Sequence, residues 1–153
     1  MQTNIITMLT TEHREVSALF EQLDKTTDRA QKKRAELFSK IDHALSIHAD
    51  FEEAQVYPLL QEEKATQPIA YEAVEEHLQI KRLLAELRDL DTRDPRWFAK
   101  ATVLGENVRH HVKEEEREAL PKLKKQTSQD ELRRLAEEYA KVKETASPRL
   151  ALV

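Results

Sequence analysis

The chain has 153 residues, a net charge of -4, 35% charged residues, one glycine and no cysteine. The absence of cysteine excludes disulfides and thiolate ligands, and the interspersed charges give no basic footprint for nucleic acid. There is no apolar run of about 18 residues that would predict a membrane span, and the first residues lack the pattern of a signal peptide. We therefore expect a cytoplasmic protein that binds neither nucleic acid nor membrane.

The composition also predicts an all-α fold. Sheet proteins need turns that use glycine, whereas this chain is rich in the helix-forming residues Leu, Ala, Glu, Lys, Gln and Arg. A chain of this length can bury one core. We expect a single domain over residues 1–153, with a helical bundle over about residues 4–125 and an extra helix over about residues 128–145.

The first two predicted helices each carry a histidine in their apolar stripe. Helix one should run from about Asn4 to Lys25, with Thr3 or Asn4 as its cap, and its stripe is Leu9, His13, Val16, Phe20 and Leu23. A turn and a cap at Thr26-Thr27-Asp28 precede helix two, which begins near Arg29 and has the stripe Phe38, Ile41, Leu45, His48, Glu52, Gln55 and Leu59. Pro58 lacks the N–H that a helix needs, so helix two should kink or end nearby.

The next two predicted helices repeat this arrangement. Helix three follows Gln67-Pro68 and runs to about Leu90, with Val74, His77, Ile80, Leu84 and Leu87 facing inward. Asp94-Pro95 opens helix four, since a cap followed by proline suits a first turn. The stripe of helix four is Ala101, Leu104, Val108, His111, Glu115 and Ala119, and Pro121 repeats the role of Pro58.

Thr127 or Ser128 should cap a fifth, shorter helix, with Leu132, Leu135, Ala136 and Tyr139 on its apolar side. We expect residues 147–153 to fray. Four long helices with short connections predict an up-down-up-down bundle. The fifth helix either packs across this bundle or makes a subunit contact, and the oligomeric state stays open.

One motif, H-x3-E-E-x4-P-x-L, occurs twice, at His48 and 63 residues later at His111. Residues four apart lie on the same face of a helix, so each copy aims an imidazole and a carboxylate at one point, as two metal ligands require. A Glu-His pair precedes each copy, Glu12-His13 and Glu76-His77. Stacking the stripes places six candidate ligands at similar depth: His13, His48, Glu52, His77, His111 and Glu115.

A single inward histidine is usually a hydrogen-bonded core residue, but six such residues on duplicated stripes favour a metal site, because two unpaired buried carboxylates would be costly. The set is too large for one tetrahedral zinc and too rich in nitrogen for calcium or magnesium. The duplication predicts two ions bridged by Glu52 and Glu115, with two histidines on each. Imidazole with carboxylate suits iron, while manganese, zinc and copper remain open.

The sequence resembles the hemerythrin family, specifically the bacterial HHE cation-binding domains, over about residues 5–123. The resemblance rests on Glu12-His13, His48-Ala-Asp-Phe-Glu52-Glu53, Glu76-His77 and His111-Val-Lys-Glu-Glu115-Glu116. It implies two iron ions with an oxo or hydroxo bridge. One iron would be held by His13 and His48 and the other by His77 and His111, with Glu52 and Glu115 spanning both.

One position departs from the family pattern. Oxygen-carrying hemerythrins have a further histidine one turn before the helix-three ligand, where this chain has Ala73. Each iron would then have about five ligands and one position for water, substrate or a side chain. Gln55, Glu118 and, with less support, Tyr57 are candidates to fill that position. We favour for all three a role in orienting the ligands by hydrogen bonds.

The resemblance implies a di-iron protein that binds a small diatomic or peroxide ligand. The missing histidine favours an oxidoreductase that reduces peroxide, nitric oxide or oxygen with electrons from a donor. A reversible oxygen or iron binder or sensor, without turnover, is the main alternative. The third hypothesis is an interaction bundle without metal that uses the fifth helix as its contact.

Overall fold

The computed structural model describes residues 3–146, and every regular element in this range is helical. The α-helices are α1 (Ile5–Asp24), α2 (Gln31–Phe51), α3 (Tyr57–Gln61), α4 (Gln67–Asp89), α5 (Pro95–Glu114), α6 (Leu120–Gln126) and α7 (Gln129–Ala146). Two π-helical segments, π1 (Glu52–Val56) and π2 (Glu115–Ala119), join α2 to α3 and α5 to α6. The all-α prediction is confirmed, and the prediction for residues 147–153 lies outside the described residues.

The bundle consists of four long helical segments: α1, α2 with π1 and α3, α4, and α5 with π2 and α6. Helix α1 packs against α2, and α4 packs against α5. Helix α7 packs against α1 and α2. The fifth helix therefore packs on the bundle, which is the first of the two arrangements that we expected. None of the described helices combines the length and the apolar character that crossing a bilayer would need.

Three of the predicted helix starts are confirmed. Asn4 Oδ1 accepts the backbone N–H of Thr7 at 3.0 Å, Asp94 Oδ1 accepts that of Arg96 at 2.9 Å, and Ser128 Oγ accepts that of Glu131 at 3.1 Å. Each of these oxygens satisfies one of the N–H groups that a first helical turn leaves without a partner.

The predicted cap of helix two is wrong, although the expected start near Arg29 lies only two residues from the observed one. Helix α2 begins at Gln31 after Ala30, which provides no side-chain cap. The Thr26 hydroxyl donates to the Leu23 carbonyl at 2.6 Å and accepts from Arg34 Nε at 2.9 Å. These bonds tie the segment after α1 to α1 itself and to the buried guanidinium of α2, so the segment does not supply the cap.

The kink expected near Pro58 is a π turn, and the same turn occurs before Pro121. The Tyr57 N–H bonds to the carbonyl of Glu52, and the Leu120 N–H bonds to that of Glu115. Proline cannot donate the next α-helical bond, and one wide turn with i to i+5 bonding lets the helix continue past it. Both π segments therefore begin at a glutamate of the duplicated motif.

Two apolar clusters fill the bundle, one toward each end. The first combines residues of α1, α3, α4, α6 and α7, including Ile5, Leu9, Tyr57, Leu123 and Tyr139. The second combines residues of α1, α2, α4 and α5, including Val16, Phe20, Ile80, Trp97 and Val108. His13 lies on α1 between Leu9 and Val16, so the predicted ligands occupy the layer between the clusters.

Candidate metal centre

The structure brings all six predicted ligands together in this middle layer, and all six are buried. We call these residues the metal centre, with exposed fractions of 7% for His13, 7% for His48, 0% for Glu52, 2% for His77, 5% for His111 and 2% for Glu115. They come from α1, α2, π1, α4, α5 and π2. The i, i+4 spacing from histidine to glutamate places both side chains of each motif copy on one inward face.

The histidines form two pairs whose Nε2 atoms face each other. These atoms are 3.3 Å apart in the His13–His48 pair and 3.0 Å apart in the His77–His111 pair. Two nitrogens bound at about 2.1 Å and a right angle to one ion would be about 3.0 Å apart. The separation within each pair therefore fits two ligands of a single ion.

Glu52 and Glu115 lie between the two histidine pairs. Glu52 Oε1 is 3.2 Å from His48 Nε2 and 3.3 Å from His77 Nε2. Glu115 places Oε1 3.2 Å from His13 Nε2 and Oε2 3.3 Å from His111 Nε2. Each pair with both glutamates forms a group whose ligand atoms all lie within 4.8 Å of one another. Both carboxylates are thus placed to bridge two ions.

Two carboxylate oxygens of the metal centre lack hydrogen bonds. Within residues 3–146, Glu52 Oε2 and Glu115 Oε1 are buried and accept none. A buried carboxylate oxygen without a partner is costly. A cation held by two imidazoles and two carboxylate oxygens would satisfy both atoms, so the donor set fits a metal ion.

Four further glutamates hold the outer nitrogens of the histidines. Each Nδ1 atom lies within hydrogen-bond distance of a carboxylate: His13 and Glu116 at 2.7 Å, His48 and Glu12 at 2.8 Å, His77 and Glu53 at 2.9 Å, and His111 and Glu76 at 2.7 Å. A carboxylate on Nδ1 fixes the tautomer and the ring orientation, and it makes Nε2 a stronger ligand. All four Nε2 atoms consequently face the centre.

Sequence reasoning did not assign these four glutamates a role. Each is the chain neighbour of a predicted ligand, in the pairs Glu12-His13, Glu52-Glu53, Glu76-His77 and Glu115-Glu116. Adjacent helical residues point in different directions, so the neighbour of an inward ligand faces the next helix. These two Glu-His pairs and two Glu-Glu pairs are the feature of the sequence from which the role of the outer glutamates could have been predicted.

Without a cation, protons on His48 and His111 balance part of the charge of the buried carboxylates. Burial lowers the pKa of His111, but Glu115 and Glu76 outweigh it and raise the pKa to about 10. Burial also lowers the pKa of His48, and the charge of Glu52 with the surrounding carboxylates raises it well above its usual value. A metal ion would occupy the positions of these protons, since ligation requires neutral imidazole.

Tyr57 enters the metal centre on one side. Its hydroxyl donates to Glu115 Oε2 at 2.5 Å and lies 3.1 Å from His77 Nε2 and 3.3 Å from His111 Nε2. Burial and the charges of Glu52 and Glu115 raise the pKa of Tyr57 far above its usual value. The phenol thus keeps its proton beside the His77–His111 pair.

Gln55 and Glu118, which the sequence favoured over Tyr57, are both exposed. The prediction that Gln55 continues the inward stripe is wrong, because the π turn places Tyr57, five residues after Glu52, above the centre. Glu118 lines a cavity of about 20 Å³ together with Ala73, His111 and Glu115. Glu118 therefore remains a candidate to fill the open metal position beside the His77–His111 pair.

Comparison with known proteins tests the family assignment. The sequence profile of the Hemerythrin HHE cation binding domain matches residues 4–123, a range that contains the whole metal centre. The chain belongs to the hemerythrin HHE family. This membership confirms the predicted resemblance, and the paired histidine and glutamate groups are compatible with the cation binding that gives the family its name.

Two relatives of this hemerythrin-like chain differ in what they support. A hemerythrin HHE cation binding domain-containing protein from Mycobacterium kansasii has a crystal structure with a TM-score of 0.81 and 24% identity, covering 98% of this chain and 91% of that one. It confirms the fold. A DNA nickase from Nostoc sp. is 27% identical over 150 residues, and the match covers 96% of this chain but 41% of the nickase. The hemerythrin-like chain thus spans less than half of that protein.

Proposed function

We propose that the chain binds two iron ions in the metal centre and reduces a small ligand there, namely hydrogen peroxide, nitric oxide or oxygen. The observation that carries this proposal is the pair of groups that share Glu52 and Glu115, each with two histidine nitrogens. An oxo or hydroxo bridge would complete the link between the ions.

The donor set supports iron. The six ligands offer imidazole nitrogen and carboxylate oxygen, a mixture that suits iron, and the chain has no cysteine for softer metals. A single tetrahedral zinc would use one group and leave two buried histidines of the other without a metal. Two ions use all six residues, which is why the di-metal arrangement is preferred.

A cavity of about 30 Å³ adjoins the histidines on the side away from Tyr57. Its walls include His13, His48 and His77 with Val16, Ile80 and Val108. A space of this size holds one or two water-sized molecules. Its apolar walls would admit a small uncharged ligand and keep bulk water from the centre.

When bound, two ferrous ions would supply the two electrons that, with two protons, convert one hydrogen peroxide into two waters. The chain's own residues would hold the ligands rigidly, and the two protons would come from solvent. The Tyr57 hydroxyl would keep Glu115 in place, since it bonds to Glu115 and contacts both histidines of one pair. A further turnover needs two electrons from a reductant, for which ascorbate serves in the assay.

DNA nicking is not part of this proposal. The name of the Nostoc relative describes a protein of which this chain covers 41%. The net charge of -4 argues against a DNA-binding surface, because backbone recognition needs clustered Lys and Arg. A plasmid relaxation assay with the iron-loaded chain should show no nicking above the level of a metal-free control.

The test combines metal analysis with spectroscopy of the purified chain. We expect two irons per chain and an oxo-bridge charge-transfer band that ascorbate bleaches by reducing the irons and that hydrogen peroxide restores by oxidising them. His77→Ala should lose iron and peroxide reduction, whereas His43→Ala, a half-buried histidine outside the centre, should keep both. A stable oxygen complex that survives many cycles without peroxide reduction would favour the reversible binder. Absence of iron with a flat spectrum would reject both iron functions.

A further inference from the structure

Helix α7 contacts Glu12, the carboxylate that holds the outer nitrogen of His48. Glu12 Oε1 accepts the hydroxyl proton of Tyr139 at 2.5 Å and lies 2.8 Å from Nδ1 of His48. Lys143 places Nζ 2.5 Å from the other oxygen, Oε2. Tyr139 and Lys143 both belong to α7, so the C-terminal helix contacts the partner of one proposed ligand with two side chains.

The corresponding glutamate in the second half of the chain has no such support from α7. Glu76 lies 2.7 Å from His111 Nδ1, as Glu12 does from His48. Its further contact within residues 3–146 is an ion pair with His110 at 3.4 Å, and 65% of the His110 side chain is exposed. Glu53, which holds His77, pairs with Lys81 at 2.8 Å, but the Lys81 side chain is 34% exposed, and among the described residues neither Glu53 nor Glu76 accepts a buried hydroxyl as Glu12 does. The two histidine pairs therefore have the same inner ligands and differently supported outer carboxylates.

Packing fixes the direction of the Tyr139 hydroxyl. The residue is 1% exposed, its ring lies 4.5 Å from the ring of Phe51, and it meets the His48 ring edge-on at 6.5 Å, measured between centroids. A buried ring held between two others has little freedom to rotate, so its hydroxyl keeps Glu12 in place. Glu12 in turn keeps the His48 ring turned inward.

We propose that α7 is a latch that holds His48 in its ligating orientation through Glu12 and thereby retains the ion of the His13–His48 pair longer than that of the His77–His111 pair. This inference rests on the proposed function only in requiring two bound metal ions. Tyr139 and Lys143 are positioning residues, since they act through Glu12 and contact neither ion.

The physical basis is the ordering of the outer carboxylate. A carboxylate that accepts from three donors cannot rotate without breaking bonds, and the imidazole bound to it shares this restriction. Loss of outer partners of metal-bound histidines typically weakens metal binding about 10- to 100-fold. The effect should be confined to one pair, because α7 supports Glu12 and not Glu76.

The experiment uses the full chain loaded with cobalt(II), which reports its own coordination by visible absorption and avoids iron redox chemistry. Excess EDTA is added, and metal per chain is measured over time together with the cobalt spectrum. The wild type should release cobalt in a fast and a slow phase of one ion each. Tyr139→Phe/Lys143→Met should accelerate the slow phase about 10- to 100-fold and leave the fast phase unchanged.

Matched variants separate the latch from general stabilisation. Tyr71→Phe removes a hydroxyl from an exposed tyrosine of α4 and Lys141→Met removes an exposed charge from α7, so this pair should release cobalt like the wild type. Equal acceleration of both phases in Tyr139→Phe/Lys143→Met, or no acceleration of either, would overturn the latch. Failure of the wild type to bind two ions would instead reject the proposed di-metal function, and the latch with it.

Discussion

Tyr57 and Leu120 occupy equivalent positions in the two motif copies, nine residues after His48 and His111 respectively. Tyr57 places a hydroxyl in the metal centre, whereas the side chain of Leu120 is apolar. Leu120 is 4% exposed and belongs to the apolar cluster at that end of the bundle. The hydroxyl of Tyr57 contacts the His77–His111 pair. The duplicated ligands thus lie in unlike surroundings, and the two proposed iron sites should differ in reactivity.

Tyr57→Phe should slow peroxide reduction while both irons stay bound. The substitution removes the hydroxyl but keeps the buried ring, so packing should change little. Loss of a hydrogen-bond partner of a metal ligand, here Glu115, typically costs about 10- to 100-fold in activity. Stopped-flow absorption of the reduced protein mixed with peroxide measures this rate, with Tyr71→Phe as the control. Loss of one iron in Tyr57→Phe would show that the phenol is a ligand and not only a hydrogen-bond partner of Glu115.

Glu53→Gln and Glu116→Gln should each weaken metal binding about 10- to 100-fold. These residues hold the Nδ1 atoms of His77 and His13, and an amide holds an imidazole less strongly than a carboxylate. Competition with a chromophoric chelator gives the affinity. Glu75→Gln changes an exposed residue of the same type on α4 and should bind metal like the wild type. Equal affinities in all three variants would contradict the role assigned to the outer carboxylates.

Removal of the metal should lower the melting temperature. A ligand that binds the folded state alone, at 100 times its dissociation constant, stabilises by about 2.7 kcal/mol, and for a chain of this size that corresponds to about 5 to 10 °C. Calorimetry of the iron-loaded protein and of the protein stripped by chelator measures the difference. The variant Glu52→Gln/Glu115→Gln lacks both bridging carboxylates, so its melting temperature should be the same with iron and after treatment with chelator. If the melting temperature of the wild type is also unchanged by chelator, the result would favour the interaction bundle without metal.

Gly105 should tolerate alanine but not a larger residue. It is buried in α5, and a Cβ atom there would lie 3.2 Å from Cδ1 of Phe20 and 3.3 Å from Nη2 of Arg109. Gly105→Ala gains about 1 kcal/mol of helix propensity, which offsets this close contact. Gly105→Val should lower the free energy of unfolding by about 1 to 3 kcal/mol through overpacking. Urea unfolding of both metal-free variants checks the order, and equal stability of the two would contradict it.

The stripe of helix four was predictable because ordinary helical spacing applies from Leu104 to Glu115, and the step of four from Glu115 to Ala119 also reaches a buried residue of π2. Leu104, Val108, His111, Glu115 and Ala119 follow one another at intervals of three or four, and all are buried. The same reasoning failed after Glu52 in the second helical segment. There the prediction stepped three residues to Gln55, whereas the π turn buries Val56 and Tyr57. The proline signalled a disturbance in the helix but not its type.

The outer glutamates depend on information that helical spacing does not contain. Glu12 holds His48, 36 residues away, and Glu116 holds His13, 103 residues away. Which histidine each glutamate meets is decided by how neighbouring helices pack. The sequence could reveal six inward ligands, because each lies on its own helix's stripe. The partners of these ligands became identifiable only when all the helices were in place.

Because both groups of ligands contain Glu52 and Glu115, each half of the chain contributes one glutamate to the group of the other half. The hairpin over residues 5–61 supplies three members of the first group and takes Glu115 from the hairpin over residues 67–126, which takes Glu52 in return. The two hairpins repeat the same order of ligands and exchange one glutamate each, as two subunits of a dimer can do across their interface. Neither hairpin holds a complete group, so bound ions would act as cross-links between the halves. Fragments cut within residues 62–66 should therefore associate more tightly when metal is present.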